Sequence, residues 1–301
     1  MTTLQRVSHS SFGIYFSRFV GRTLPPPLGH LVAASLARAI VIQHDSSQVR
    51  AVRANQWVVQ NPALTPAQLG RAVNAVFRHG GRCIYDMYHY YQNPDGLAKK
   101  VTFSPHALEV VERSRSGREG MVLASLHLSN FDLSLQALAQ TGLEALVLTI
   151  PQPPSSYQLQ NQQRTIKGIE AIPFSFSALY RAAEHLKSGK VVLTGVERPV
   201  PSQKYPVRFF GRPALLPVAH VQLALLAHVP VIVMACHMRP NGTYLVDASE
   251  DIRMRSLPDR QAETTRNAEA VLEQLETLIR AYPSQWLMYY PVWPETLKEM
   301  P

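Results

Sequence analysis

The chain reads as an α/β protein: a mostly parallel central sheet flanked by helices, with an N-terminal helical extension. Three observations lead there. From Met121 onward, short apolar runs alternate with helical patterns, the order that builds parallel strands joined by crossover helices. Before that point the pattern is helical and broken by prolines. The 301 residues, 46% apolar and 17% charged, carry no repeat, low-complexity segment or Gly/Ser linker, and a chain of that size can bury a large core.

The N-terminal part is expected to be helical as far as about Val111, with Pro62, Pro66, Pro94 and Pro105 as punctuation. Thr65-Pro66-Ala67-Gln68 is a helix start, with threonine as cap and proline first. Residues 1–111 are read as a helical, membrane-facing part and residues 112–301 as the α/β catalytic core, together one structural domain. Strands are expected at Met121–Leu126, Ala145–Ile150, Val191–Val196, Val207–Phe210, Val229–Ala235 and Tyr244–Val246. Helices are expected at Asp132–Gln140, Tyr157–Lys167, Ala178–Lys187, Val218–Ala227 and Arg260–Arg280, the last with a clear apolar stripe. The uncharged run from Pro213 to His237 contains His220, Gln222, His228, Pro217 and Pro230, and is read as a buried helix then a buried strand. Phe12 to Val20 is too short to cross a bilayer and carries Arg18. The chain closes with Trp286, Tyr289, Tyr290 and Trp293, aromatic residues suited to a core or an interface.

The formal charge is +9 and unevenly spread. From Met1 to Gln60 it comes from Arg6, Arg18, Arg22, Arg38, Arg50 and Arg53, against Asp45 alone. Phe16, Phe19, Leu28 and Leu31 are interleaved with them. That mixture suits a segment lying on anionic lipid, or a basic surface helix covering the core. Nucleic acid is not an expected partner, because the chain has no lysine-rich run or recognition motif. Cys83 and Cys236 are far apart with no CxxC partner, which excludes a disulfide framework and a cysteine-ligated zinc. Cys236 sits in an apolar strand and is read as packing, and reducing, cytoplasmic conditions fit. GxSxG, GxGxxG, Walker A and HExxH motifs are absent, and His79, His89 and His106 lack metal-ligand spacing, so no metal is expected.

The most informative run is Ser125-Leu126-His127-Leu128-Ser129-Asn130-Phe131-Asp132. An apolar strand leads in and a helix leads out, so an imidazole stands at the carboxyl edge of a sheet, where open α/β folds carry their sites. Positions five apart on one helix do not share a face. With His127 on the loop and Asp132 in the first turn, the chain is expected to fold back and let the carboxylate hold one ring nitrogen. The other nitrogen would then be free to take a proton from a hydroxyl. Glu197 and Arg198 follow the buried strand Val191–Val196, and Arg164 lies on a Gln/Asn-rich helix. Gly211 follows Phe210 in a turn, where it supplies backbone freedom.

Taken in order, these features resemble the bacterial lipid A lauroyl/myristoyl acyltransferase family, which includes the phosphatidylinositol mannoside acyltransferases. The wider group is the glycerolipid acyltransferases that share a His-x4-Asp/Glu motif. The resemblance spans roughly Leu28 to Trp293. It includes Arg50-Ala51-Val52-Arg53-Ala54-Asn55, His127-x4-Asp132, Arg164 before Lys167-Gly168, Glu197-Arg198, Phe210-Gly211 and Pro283-Ser284-Gln285-Trp286. The chain departs from many lipid A enzymes, which read His-x-Gly-Asn-Trp-Glu where Ser129, Asn130, Phe131 and Asp132 stand here.

The resemblance implies an O-acyltransferase. His127 would be the general base, Asp132 would orient and charge-stabilise it, and Glu197 would support the histidine or bind the acceptor. Arg164, Asn130, Ser129, Arg198 and Gly211 would contact substrate. The implied donor is acyl-CoA or acyl carrier protein, with no further cofactor, and the acceptor a membrane glycolipid or lipid A-like molecule. The implied location is the cytoplasmic face of the bacterial inner membrane, peripheral to its anionic surface. The acyl chain is expected between the sheet and the N-terminal helices. The same dyad could instead activate water, giving an acyl thioesterase, or persist in a non-catalytic lipid-binding protein at the membrane surface.

Overall fold

Thr65 begins the longest helix of the chain with a full capping box: its hydroxyl oxygen accepts the Gln68 N–H while the Gln68 side chain accepts the Thr65 N–H. The computed structural model describes residues 11–60, 63–91, 93–151, 161, 164–200 and 203–300. That helix is α4, Pro66–Tyr90. Before it come α1 (Ser11–Thr23), α2 (Pro26–Val41) and α3 (Ser47–Gln60), and after it α5 (Pro94–Lys100). Gly29 lets α2 approach α4 closely, since a Cβ there would fall 1.9 Å from the Tyr85 ring. Buried Asp86 on α4 ties the extension to the sheet. It takes a hydrogen bond from the Tyr244 hydroxyl at 2.7 Å, pairs with Lys100 at 3.1 Å and meets His30 Nε2 at 2.7 Å.

The helical reading to Val111 is interrupted by a strand, β1 (Val101–Phe103), before α6 (Pro105–Ser116). β1 is three residues long, too short for alternation to show. Then β2 (Met121–Ser125), α7 (Phe131–Gln140) and β3 (Ala145–Thr149) follow as expected. Of the expected helix Tyr157–Lys167, residues 157–160 and 162–163 lie outside the described residues. Arg164 is helical, but Ile166 already bridges to Ile169 across Gly168, whose φ is +84°. This reversal opens an unexpected strand, β4 (Ile169–Pro173). The chain continues with α8 (Phe176–Lys187) and β5 (Val191–Gly195). A hairpin follows, β6 (Val207–Phe209) with β7 (Arg212–Ala214), then α9 (Ala219–Ala227). β8 (Val231–Met238), β9 (Tyr244–Ala248) and α10 (Arg260–Ala281) complete the helices and strands, and 3-10 turns lie at Pro283–Gln285 and Pro294–Lys298.

Seven strands form one sheet in the order β1-β9-β8-β2-β5-β3-β4. All neighbours are parallel except β8 and β9. The expected strand Val207–Phe210 lies apart from this sheet, in the two-stranded hairpin. The central strands read as continuous apolar runs because both faces are covered. Alternate residues serve two cores. Val122, Ala124, Val231 and Val233 pack with α8, α9, α10, Trp286 and Trp293. Met121, Leu123, Ile232 and Met234 pack with α4, α5, α6 and α7. Sheet and helices thus enclose the adjacent carboxyl ends of β2 and β5. From there the chain leaves towards opposite faces, α7 on the second core and the β6–β7 hairpin and α9 on the first. Such a divergence opens a crevice.

Candidate active site

Ser125 and Gly195, the last residues of β2 and β5, are register partners. Two residues beyond each stand His127 and Glu197, so strand pairing brings imidazole and carboxylate together across 70 positions of sequence. Glu197 is fully buried. Its Oε1 accepts hydrogen bonds from both the backbone N–H of His127 and the ring Nδ1, the latter at 2.9 Å. An ionised carboxylate only accepts, so Nδ1 carries the proton. Burial pushes the Glu197 carboxyl up, but the charge and two N–H groups of His127 outweigh it and hold the acid below its ordinary range. His127 lines the cavity described below. Phe131 packs edge-on against the ring, with centroids 5.0 Å apart.

The fold-back expected between His127 and Asp132 does not occur. Residues 127–129 are drawn out against 285–287: Leu287 donates to the His127 carbonyl and Ser129 N–H to the Gln285 carbonyl, both at 2.7 Å. Leu128 and Trp286 form an antiparallel bridge there. Asp132, in the first turn of α7, faces Arg164 instead. The Arg164 Nε donates to Oδ1 at 2.7 Å and Nη2 to Oδ2 at 3.3 Å. Both residues line the cavity with His127.

Of the residues expected on substrate, Arg164 and Arg198 line the cavity and Ser129, Asn130 and Gly211 do not. Ser129 is buried, has φ of +52°, and shares a 2.9 Å hydrogen bond with His79 Nε2. Burial, with Arg82 nearby, lowers the His79 pKa to about 4, so this ring is neutral. Asn130 caps α7 through the Leu133 N–H at 3.3 Å and donates to the Cys83 carbonyl at 2.9 Å. Both therefore fasten the His127 loop to α4. Phe210 and Gly211 form the two-residue turn of the β6–β7 hairpin, with φ of +52° and +72°, the type I′ geometry that glycine suits.

The cavity has a volume of about 810 Å³, within the range of small-molecule sites. One side lies between α7 and the sheet, lined by Leu135, Leu138, Val147, Leu193 and Met234. The other reaches Val200, Pro217 and Val218. No described residue of α1 to α6 lines it, so this cavity does not lie under the N-terminal helices. Cys236, expected as packing, is buried but reaches the wall, and burial pushes its thiol up to about 12. Sequence reasoning missed Gln203 and Gln222 on this wall. The signal for Gln222 was an amide inside a helix whose one other polar side chain is His220. Among the described residues no group of three or more His, Cys, Asp or Glu could hold a metal.

The model of the family described as bacterial lipid A biosynthesis acyltransferase matches residues 3–295. Phosphatidylinositol mannoside acyltransferases of two strains of Mycobacterium tuberculosis are each 26% identical over 211 residues, covering 67% of this chain. The match spans 64% of the length of these curated relatives.

Proposed function

The chain belongs to the bacterial lipid A biosynthesis acyltransferase family, and on that premise we propose that it moves a fatty acyl chain from a thioester donor to a hydroxyl of a membrane glycolipid, with His127 as general base. One observation carries the mechanism: an imidazole held at Nδ1 by a buried carboxylate, on the wall of an apolar cavity. Nε2 removes the acceptor proton as its oxygen attacks the thioester carbonyl. Glu197 stabilises the imidazolium that forms. Backbone N–H groups at the start of α7 left over by the Asn130 cap, together with Arg164, stabilise the developing oxyanion. The C–S bond then breaks, and the thiolate takes the proton back from Nε2. Asp132 acts through Arg164, holding that guanidinium on the wall.

The donor is acyl-CoA or acyl carrier protein, and its chain lies between α7 and the sheet. The acceptor is a glycolipid of the phosphatidylinositol mannoside or lipid A kind. Residues 1–111 form the membrane-facing part and 112–301 the catalytic core. Attachment is peripheral, at the cytoplasmic face of the bacterial inner membrane. Exposed Tyr15, Phe19, Leu28 and Leu31 on α1 and α2, close in sequence to Arg18 and Arg22, support that attachment. No described helix is long and apolar enough to cross a membrane. The test is direct. Purified protein, radiolabelled palmitoyl-CoA and a bacterial lipid extract should yield a labelled lipid. Labelled free fatty acid alone, with or without extract, would replace transfer by hydrolysis.

A further inference from the structure

His79 is a buried histidine that the acyl-transfer chemistry leaves idle. It lies on α4, outside the cavity, yet it reaches the turn that joins His127 to α7. Ser129 forms that turn with φ of +52°, a left-handed conformation that costs any residue carrying a Cβ. Both flanks of the turn are fixed. Upstream, the His127 N–H is held by Glu197 Oε1 and its carbonyl by the Leu287 N–H. Downstream, Asn130 caps α7 and donates to the Cys83 carbonyl on α4. The dihedrals at Ser129 therefore set where the imidazole stands relative to the first turn of α7, which carries Asp132 and its partner Arg164.

We propose that His79 is a positioning residue: its hydrogen bond to the Ser129 hydroxyl, 2.9 Å from Nε2, holds the left-handed turn that keeps the His127 ring on Glu197 and on the cavity wall. This rests on the reading of His127 as general base and adds a residue that acts through it. The support behind His79 is stiff. Cys83, one turn on along α4, places its sulfur 3.4 Å from the same nitrogen. Asp86, on the next turn, accepts the Tyr244 hydroxyl at 2.7 Å and so ties α4 to β9. The Ser129 N–H donates to the Gln285 carbonyl at 2.7 Å, which leaves the hydroxyl as the side-chain hold on the turn. The Cys83 sulfur lies 4.0 Å from that hydroxyl and is the weaker partner. A buried hydroxyl stripped of its partner carries the full cost of desolvation, so the turn is stable only with the imidazole in place. Burial keeps the His79 ring neutral. The hold therefore adds no positive charge to a loop on which an imidazolium forms.

The test uses the full chain as wild type, Ser129→Ala, Ser129→Gly, His79→Phe, His79→Gln and the Ser129→Ala/His79→Phe double variant. Two quantities are read. One is kcat for palmitoyl transfer to a bacterial lipid extract, with the KM for palmitoyl-CoA. The other needs no turnover. The Nδ1–H proton of His127, bonded to a carboxylate, gives a far-downfield NMR signal in protein labelled at its histidine nitrogens, assigned by its loss in His127→Ala. Ser129→Ala should lower kcat about 3–10-fold and shift or broaden that signal. The KM for palmitoyl-CoA should stay as in wild type, since neither Ser129 nor His79 lines the cavity. His79→Phe should match Ser129→Ala, and the double variant should fall no further, because one bond is lost in all three. Glycine takes the left-handed conformation without steric cost, so Ser129→Gly should recover part of both quantities although it has no hydroxyl. His79→Gln, whose amide reaches the place of Nε2, should recover them as well. The proposal is overturned if Ser129→Ala and His79→Phe keep wild-type kcat and signal and only unfold at lower urea. It is overturned equally if their effects add, or if glycine does no better than alanine. Should the signal follow the expected pattern while no protein makes labelled lipid, the acyl-transfer reading falls and the role of His79 in placing the His127 ring stands.

Discussion

His127 stands out at a strand-to-helix joint, but local spacing pairs it with Asp132, and only the family resemblance offers Glu197 as its support. Reading along the chain favours the nearest carboxylate, Asp132. The residue on the ring is Glu197, 70 positions away, brought there by the pairing of Ser125 with Gly195. Register between strands is a tertiary fact that local spacing does not carry. The two acids therefore separate by experiment. Glu197→Gln keeps the shape but removes the charge that fixes the tautomer, and kcat should fall about 10²–10⁴-fold. His127→Ala should fall by a similar factor, and the double variant should fall little further, because the pair acts as one unit. Asp132→Asn should instead act through Arg164, leaving the pH profile of wild type while substrate KM rises. Steady-state kinetics across pH would check this. Full activity in Glu197→Gln would remove the buried acid from the mechanism.

At the scale of elements, long periodic segments were legible and short edge pieces were not. The runs that became β2, β3, β5 and β8 lie in the sheet interior, where both faces demand apolar residues. β1 has only three residues, and β4 is an edge strand ending in Pro173, so neither gives a periodic signal. α9 shows another effect of burial. His220 sits on it fully enclosed, with neither ring nitrogen hydrogen-bonded among the described residues, and burial lowers its pKa to about 4. In the unfolded chain the ring titrates near 6.5. Between those values the unfolded state binds the extra proton, so stability rises with pH through that window and is lost as pH falls from 6.5 towards 4. His220 should contribute about 2 kcal/mol of lost stability between pH 7 and pH 5. His79, with the same direction, should add a similar loss. Urea unfolding at the two pH values checks this, with His220→Leu expected to flatten the slope. An unchanged slope in that variant would mean the ring is protonated in the folded protein.

For the whole molecule, fold class followed from alternation, whereas the location of the cavity did not. Composition reported an apolar, basic N-terminal part, and that pointed to a groove beneath it. The sheet instead encloses its cavity between α7 and the β5–α9 side, because crossover direction is fixed by packing on both faces. The N-terminal helices are thereby left with exposed apolar residues: Phe19 is 63% and Leu31 64% exposed. The formal charge of +9 adds a long-range pull towards anionic lipid. These two forces predict different responses. Arg18→Gln with Arg22→Gln should weaken sedimentation with phosphatidylglycerol vesicles by about 1 kcal/mol per arginine. Raising salt from 0.05 to 0.5 M, values chosen on the order of the screening range, should weaken wild-type binding in the same direction. Phe19→Ser with Leu31→Ser should reduce binding at both salt levels, since apolar insertion is not screened. Equal binding of all three proteins to phosphatidylglycerol and phosphatidylcholine vesicles would show that these helices do not meet the membrane, and that the acceptor reaches His127 from another side.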